Sequence, residues 1–197
     1  MTQWTALVPM KQGADTKSRL AGAIDLPARV ALAHAMVAHV LDCLRDVEAI
    51  GDVHLLAPAP EAGLDTAWLA DGGAGLNAEL ARAHATIKGP LLIIHADLPH
   101  LTPADVSALL AAARDAGAAI APDRHGRGTN ALALTGDPPV AFAFGEDSFA
   151  RHMRLLPDAA IVRRPGLARD LDTAEDLAEA RRAGVVAAGA REDDTRS

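Results

Sequence analysis

Asp97 stands where a buried strand ends. In LLIIHADLPHLTP, residues 91–103, four large aliphatics run without a break, and three residues later a lone carboxylate is followed by Leu98 and Pro99. A strand apolar on both faces belongs in the middle of a parallel sheet, and such sheets take their ligands beyond the strands' carboxyl ends. A carboxylate there can hold a metal ion or orient a ligand. It can equally accept backbone hydrogen bonds in a turn. Asp170 and Asp172, in ARDLDT, form a second acidic feature. If that stretch is extended, residues two apart point the same way, so both carboxylates face one side and Leu171 faces the core. Paired carboxylates suit Mg²⁺, which is held by one or two of them together with substrate phosphates. The alternative is that Asp172 or Thr173 caps the helix that follows.

The cationic partners lie in KQGADTKSRL, directly after the first strand. Lys11, Lys17 and Arg19 at that edge would neutralise a triphosphate and a departing pyrophosphate; a solvated basic loop is the plainer reading. In RHGRGTNALAL, residues 124–134, Gly126 and Gly128 let the backbone approach an anion, and Thr129 and Asn130 offer neutral hydrogen-bonding groups. FGEDSF, residues 144–149, repeats the logic, with Gly145 and then Ser148 near a helix N-terminus, where exposed N–H groups favour phosphate. Each segment alone reads as an ordinary turn, and together they point toward a phosphorylated ligand. The first loop is neither a Walker P-loop nor G-x-G-x-x-G, and GGAG (72–75) lacks the dinucleotide spacing, which disfavours a nicotinamide dehydrogenase. His95 and His100 flank Asp97, but zinc needs a further cysteine or histidine that nothing obvious supplies. His34, His39, His84 and His152 fall on helix faces, Cys43 on an apolar one, and Trp4 and Trp68 read as packing residues.

These residues need elements to position them. Apolar runs predict strands at 4–10, 52–58, 66–71, 90–96 and 118–123, with short further strands in TNALALT, VAFAF (140–144) and AAIVRR (159–164). LARDLDT reads as a short strand or turn. Helical periods cover 26–47, 76–88, 103–117, 148–156 and 174–184. Thr102 with Asp105 and Pro103 marks one helix start. Alternating strands and helices imply an α/β fold, a mostly parallel Rossmann-like sheet covered by helices on both faces. TNALALT and VAFAF, with little between them, predict a small antiparallel excursion. The chain reads as a single domain over 1–186 and a charged, disordered tail over 187–197.

Composition narrows the function. The 197 residues carry a net charge of −7, one cysteine, two Trp, three Phe and no Tyr. An acidic composition poor in aromatics argues against generic nucleic-acid binding. No stretch approaches the roughly 18 apolar residues of a membrane span, and the N-terminus lacks the pattern of a signal peptide. The expectation is a cytoplasmic protein that handles small molecules, with a homodimer left open.

The stretches VPMK…TKSRLA, GGAGLNAEL, LLIIHADLPHLTPADV, APDRHGRGTNALAL, FAFGEDSFARH and PGLARDLDTAEDL, in this order, resemble the 2-phospho-L-lactate or phosphoenolpyruvate guanylyltransferases of coenzyme F-420 biosynthesis. The likeness spans about residues 4 to 184. It implies a nucleotide-diphospho-sugar transferase-like fold, shared with molybdenum-cofactor guanylyltransferases. It also implies transfer of GMP from GTP to a small phosphorylated three-carbon acid (2-phospholactate, phosphoenolpyruvate or 3-phosphoglycerate), with pyrophosphate released. By this resemblance Asp97, Asp170 and Asp172 would hold Mg²⁺, and Lys17 and Arg19 would act with Asp97 in catalysis. Lys11, Lys17, Ser18, Arg19, Gly73, Gly75 and Asn77 would hold the nucleotide, and Thr129, Gly145 and Ser148 the acceptor phosphate. Three departures stand out: His95 where the family has proline, GEDSF for GPGSF, and RDLDTA for LDVDTP. Glu146 and Asp147 would oppose an acceptor phosphate unless a cation screens them. Transfer to another acceptor, such as a molybdopterin or a sugar, and a non-catalytic nucleotide-binding module are the alternatives.

Overall fold

The computed structural model describes residues 3–12, 16–136 and 141–185. Among these residues seven strands form one sheet in the order β3-β2-β1-β4-β6-β5-β7. They are β1 (Trp4–Pro9), β2 (Ile50–Ala57), β3 (Ala67–Ala70), β4 (Leu91–Ile94), β5 (Ala118–Pro122), β6 (Thr129–Leu134) and β7 (Ala160–Ile161). Only β6 runs against its neighbours; the other pairings are parallel. The helices are α1 (Leu26–Arg45), α2 (Leu76–His84), α3 (Pro103–Ala116), α4 (Ser148–Leu155), α5 (Pro165–Ala168) and α6 (Ala174–Arg182).

Strand alternation divides the core in two. Trp4, Ala6, Val8, Leu92 and Ile94 face α1 and α3, where Val37, Leu41, Leu44, Val106 and Leu110 meet them. Leu7, Leu91, Ile93, Ile120 and Leu132 face the other way, toward Leu80 of α2 and toward Phe142, Phe144 and Phe149. All four aliphatics of β4 are fully buried, each contributing about 1.5–3 kcal/mol through the surface it removes from water. β4 is thus a rigid mount for whatever follows it. α3 begins as its sequence predicts, with Thr102 and Asp105 in a reciprocal capping box and Pro103 in the first turn.

The chain builds outward from β1 to β2 and β3, then returns to lay β4 on β1's other side. That reversal opens a crevice between the carboxyl ends of β1 and β4. Because β6 is antiparallel to β4, with Ala131 beside Ile94, its first residues Thr129 and Asn130 arrive at the same edge.

Three local expectations are corrected. Residues 141–144 of VAFAF form no strand, because the Ala143 and Phe144 N–H groups go to side chains of His152 and Asn77 rather than to a neighbouring strand. The antiparallel element is β6 alone, inserted between β4 and β5. AAIVRR supplies only Ala160–Ile161 as strand. LARDLDT opens inside the four-residue helix α5 and continues without regular structure to Thr173. The tail over 187–197 lies outside the described residues.

Candidate active site

Lys17 is the hub of the crevice. Its ammonium donates to Asp97 Oδ2 at 2.8 Å, to Asp172 Oδ1 at 2.9 Å and to the Leu171 carbonyl at 2.6 Å. An ammonium has three donors, so all are engaged. The side chain is 11% exposed. Its backbone is left-handed, at φ 48° and ψ 44°, a conformation that costs a non-glycine residue about 1–2 kcal/mol. The three polar contacts hold it there. Arg19, 75% exposed, reaches the other oxygen of Asp172 at 3.2 Å.

Apolar residues inside the polar motifs bring these groups together. Leu20, which ends the 3-10 turn Ser18–Leu20, packs with Leu171 in a small separate core completed by Leu32 and Met36 of α1 and Leu177 and Ala180 of α6. The buried Arg29 donates to the Thr16 carbonyl at 3.0 Å and anchors the loop from below. The Leu171 N–H donates to the Asp97 carbonyl at 3.0 Å, tying the DLD segment to the end of β4. Thr173, not Asp172, caps α6: its hydroxyl accepts from the Asp176 N–H, and the Asp176 carboxylate reaches back to the Thr173 N–H. Asp172 is thereby left for Lys17.

The electrostatics are unbalanced toward negative charge. Burial pushes the Asp97 carboxyl up, but the Lys17 ammonium and His95 outweigh it and hold it below the usual carboxylate range. Burial likewise works against the charge on Lys17, and Asp97 and Asp172 more than restore it, so its pKa is raised. Asp170 is raised by burial and then by the charges of Asp97 and Asp172. Asp97 Oδ1 is buried with no hydrogen-bond partner. One ammonium thus serves two of the three carboxylates, with Asp170 nearby and one Asp97 oxygen left without a partner. Among the described residues no group of three His, Cys, Asp or Glu side chains is placed to hold a metal ion; Mg²⁺ can be held by one or two carboxylates, with substrate phosphates and water completing its shell.

The other predicted residues line the same edge. Lys11 and Ser18 are exposed. Gly73, Gly75 and Gly145 all have positive φ, and a Cβ on any of them would meet nothing within 4 Å. Glycine is required there by backbone conformation, and open space lies above each. The turn holding Gly73 and Gly75 is stiffened from below: the Gly73 N–H donates to Asp71 at 2.8 Å and the Ala74 N–H to the buried Glu79 at 3.1 Å. Thr129 and Ser148 are buried and adjacent, the Thr129 N–H donating to Ser148 Oγ at 2.9 Å. The Asn77 carboxamide is turned to the backbone of Phe144, accepting from its N–H at 2.8 Å and donating to its carbonyl at 3.1 Å. The acidic pair meets its cation in Arg127, whose Nε lies 3.1 Å from Asp147 and whose terminal nitrogen lies 3.8 Å from Glu146.

Two residues named in the sequence take roles it did not assign them. His152 is fully buried rather than presented on a helix surface. Its Nε2 accepts from the Ala143 N–H at 3.1 Å, so Nδ1 carries the proton and donates to Thr129 Oγ1 at 2.9 Å. Asn130 donates to the Leu167 carbonyl at 3.0 Å and comes within 3.5 Å of Asp170. A histidine on an otherwise apolar helix face was the available signal for the first; for the second, only the antiparallel register of β6 reveals it.

Residues 4–185 match the family described as guanylyl transferase CofC like. The chain belongs to this family. A phosphoenolpyruvate guanylyltransferase of Sphaerobacter thermophilus is 38% identical over 203 residues, covering 96% of this chain and 97% of the relative. One from Streptomyces coelicolor is 36% identical, with 93% and 92% covered. Among solved structures, a candidate nucleotide-diphospho-sugar transferase from Desulfovibrio desulfuricans superposes with a TM-score of 0.73 at 18% identity, covering 98% of this chain and 92% of the other. A CMP:2-keto-3-deoxy-manno-octonic acid synthetase bound to CTP gives 0.62 at 14%, covering 92% and 98%. At those identities the likeness establishes the fold, which is nucleotide-diphospho-sugar transferase-like. As a member of the guanylyl transferase family the protein is a nucleotidyltransferase, and no helix among its described residues is long and apolar enough to cross a membrane.

Proposed function

We propose that this enzyme transfers GMP from GTP to phosphoenolpyruvate, releasing pyrophosphate, as a cytoplasmic step of coenzyme F-420 biosynthesis. The observation that carries the reading is the Lys17 ammonium lodged between Asp97 and Asp172 at the crevice, with Asp97 Oδ1 left unpartnered. The choice of phosphoenolpyruvate over 2-phospholactate or 3-phosphoglycerate follows the activity named for the relatives that cover nearly the whole chain.

A phosphate oxygen of the acceptor attacks the α-phosphorus of GTP in line, and pyrophosphate leaves. The nucleophile is already an anion at neutral pH, so no general base is needed. What the protein contributes is position and charge. Asp97 and Asp172, with Asp170 beside them, would hold Mg²⁺, which supplies neutralisation of phosphate charge when bound. Lys17 fixes the spacing of Asp97 and Asp172 before substrate arrives. Arg19, using one N–H on Asp172, keeps further donors for the leaving pyrophosphate. Lys11, Ser18 and the turn of Gly73 and Gly75 lie against the nucleotide; Thr129, Gly145 and Ser148 take the acceptor's phosphate. Arg127 offsets the charge of Glu146 and Asp147 beside that phosphate.

The test is pyrophosphate release with GTP, Mg²⁺ and each of the three phosphorylated acids, with the product identified by mass. Turnover fastest with phosphoenolpyruvate and a product equal to its guanylylated form are expected. Release with another nucleotide or only with an unrelated acceptor would reassign the substrate. No release under any combination would favour a nucleotide-sensing module.

A further inference from the structure

The two lips of the crevice are far apart in sequence yet joined at one side chain. Asn77 opens α2 just after the turn of Gly73 and Gly75, and Phe144 directly precedes Gly145 and the start of α4. The Asn77 carboxamide satisfies both main-chain groups of Phe144, at 2.8 and 3.1 Å, as a neighbouring strand would. Phe144 is itself clamped. Its buried ring lies 5.4 Å from the ring of His95 and 4.7 Å, edge-on, from that of His152. His152 then holds Ala143 through Nε2 and Thr129 through Nδ1, and Thr129 holds Ser148. A continuous set of contacts runs from the first lip, through Phe144, to the residues of the second. The two bonds to Phe144 fix the orientation of the carboxamide and leave one N–H and one lone pair, so Asn77 reads a guanine or a ribose at most with what the Phe144 backbone does not use.

We infer that Asn77 is a positioning residue for acceptor specificity rather than a nucleotide ligand: it sets the Gly145–Ser148 turn relative to the turn of Gly73 and Gly75, so that the acceptor's phosphate is presented in line to a seated nucleotide. This rests on the reading that Thr129, Gly145 and Ser148 bind the acceptor. The buried groups explain why one carboxamide suffices. Phe144's N–H and C=O have no strand partner, so removing Asn77 leaves them unsatisfied at the base of the acceptor turn. The turn then relaxes toward water or another partner, and in-line geometry tolerates little displacement.

The experiment compares Asn77→Ala, Asn77→Asp and Ser148→Ala with the unmodified enzyme. GTP affinity is measured by calorimetry without acceptor, steady-state constants with GTP saturating and phosphoenolpyruvate varied, and thermal midpoints on the same samples. Asn77→Asp keeps the side chain's shape and its acceptor for the Phe144 N–H but loses the donor, so it carries the test if Asn77→Ala does not fold. In the Asn77 variants kcat/KM for the acceptor falls by about tenfold to hundredfold, while the GTP dissociation constant moves by less than about threefold. Weakened GTP binding with an unchanged acceptor KM would make Asn77 a nucleotide ligand and overturn the inference. Parallel loss of both affinities and of the thermal midpoint would reduce it to general stability and overturn it as well. Ser148→Ala separates the two readings. If it lowers kcat/KM for the acceptor while the Asn77 variants do not, only the positioning role fails. If it leaves the acceptor KM unchanged, the acceptor site is misplaced and the inference falls with it.

Discussion

Replacing Lys17 by methionine removes one charge and keeps the length of the side chain. In the native protein its ammonium serves Asp97, Asp172 and the Leu171 carbonyl at 2.6 to 2.9 Å. Without it, two carboxylates face each other at the crevice with Asp170 close enough to feel both. Deleting one partner of a fully buried ion pair costs about 3–5 kcal/mol. Here Asp97 and Asp172 are 24% and 37% exposed, so water recovers part of that, and about 2–3 kcal/mol is expected. With a urea dependence of about 2 kcal/mol per molar, the unfolding midpoint falls by about 1 M. The effect has a pH signature. Asp97 is held low by Lys17 against its burial. In the variant the burial is opposed only by His95 and by Asp97's own backbone hydrogen bond, so its folded pKa rises and the folded state gains protons more readily as pH falls. The midpoint difference between native and variant protein is therefore widest at pH 7–8 and narrows toward pH 4. Equal midpoints at pH 7, or a gap that widens in acid, would refute the ion-pair account.

Two further perturbations probe the supports of the site. Burial holds His152 at a pKa of about 4 against an ordinary 6.5, so the unfolded state binds a proton first and stability falls as pH drops from about 6.5 to 4. The full span is worth about 3 kcal/mol. His152→Gln, read by urea unfolding at pH 7 and pH 5, should flatten that decline. Thr173→Ala removes the cap of α6 and should cost about 1 kcal/mol of stability. Because Asp172 immediately precedes the cap, turnover should fall more than stability alone explains; unchanged pyrophosphate release in this variant would mean that the cap does not position Asp172.

Much of this arrangement is legible in the residues. The unbroken aliphatics of β4 place Asp97 at a central strand's end, and the capping pairs Thr102/Asp105 and Thr173/Asp176 mark two helix starts. Periodicity locates α1 through α4 and most strands. What it does not contain is the pairing of groups distant in sequence. Lys17 meets Asp97 and Asp172 across 80 and 155 residues, and only the returns of the chain to one sheet edge produce that. VAFAF has a strand's composition, but the backbone N–H groups of Ala143 and Phe144 go to side chains of His152 and Asn77, which no alternation pattern encodes. The antiparallel excursion is legible in the close succession of TNALALT and VAFAF, but the slot β6 takes, between β4 and β5, is not. The apolar residues Leu20, after Arg19, and Leu171, between Asp170 and Asp172, were the local hint that the basic loop and the DLD segment share a core.

The central claim is that Asp97, at the tip of β4 with one oxygen unpartnered, holds the charge centre at which GMP is transferred. The most direct test is pyrophosphate release from GTP and phosphoenolpyruvate in Mg²⁺ by Asp97→Asn, beside native enzyme and a chelator-treated sample. The expected result is turnover by the native protein, its loss on chelation and restoration by Mg²⁺, and turnover in the folded variant lower by about 10² or more. Near-normal turnover by Asp97→Asn would contradict the account.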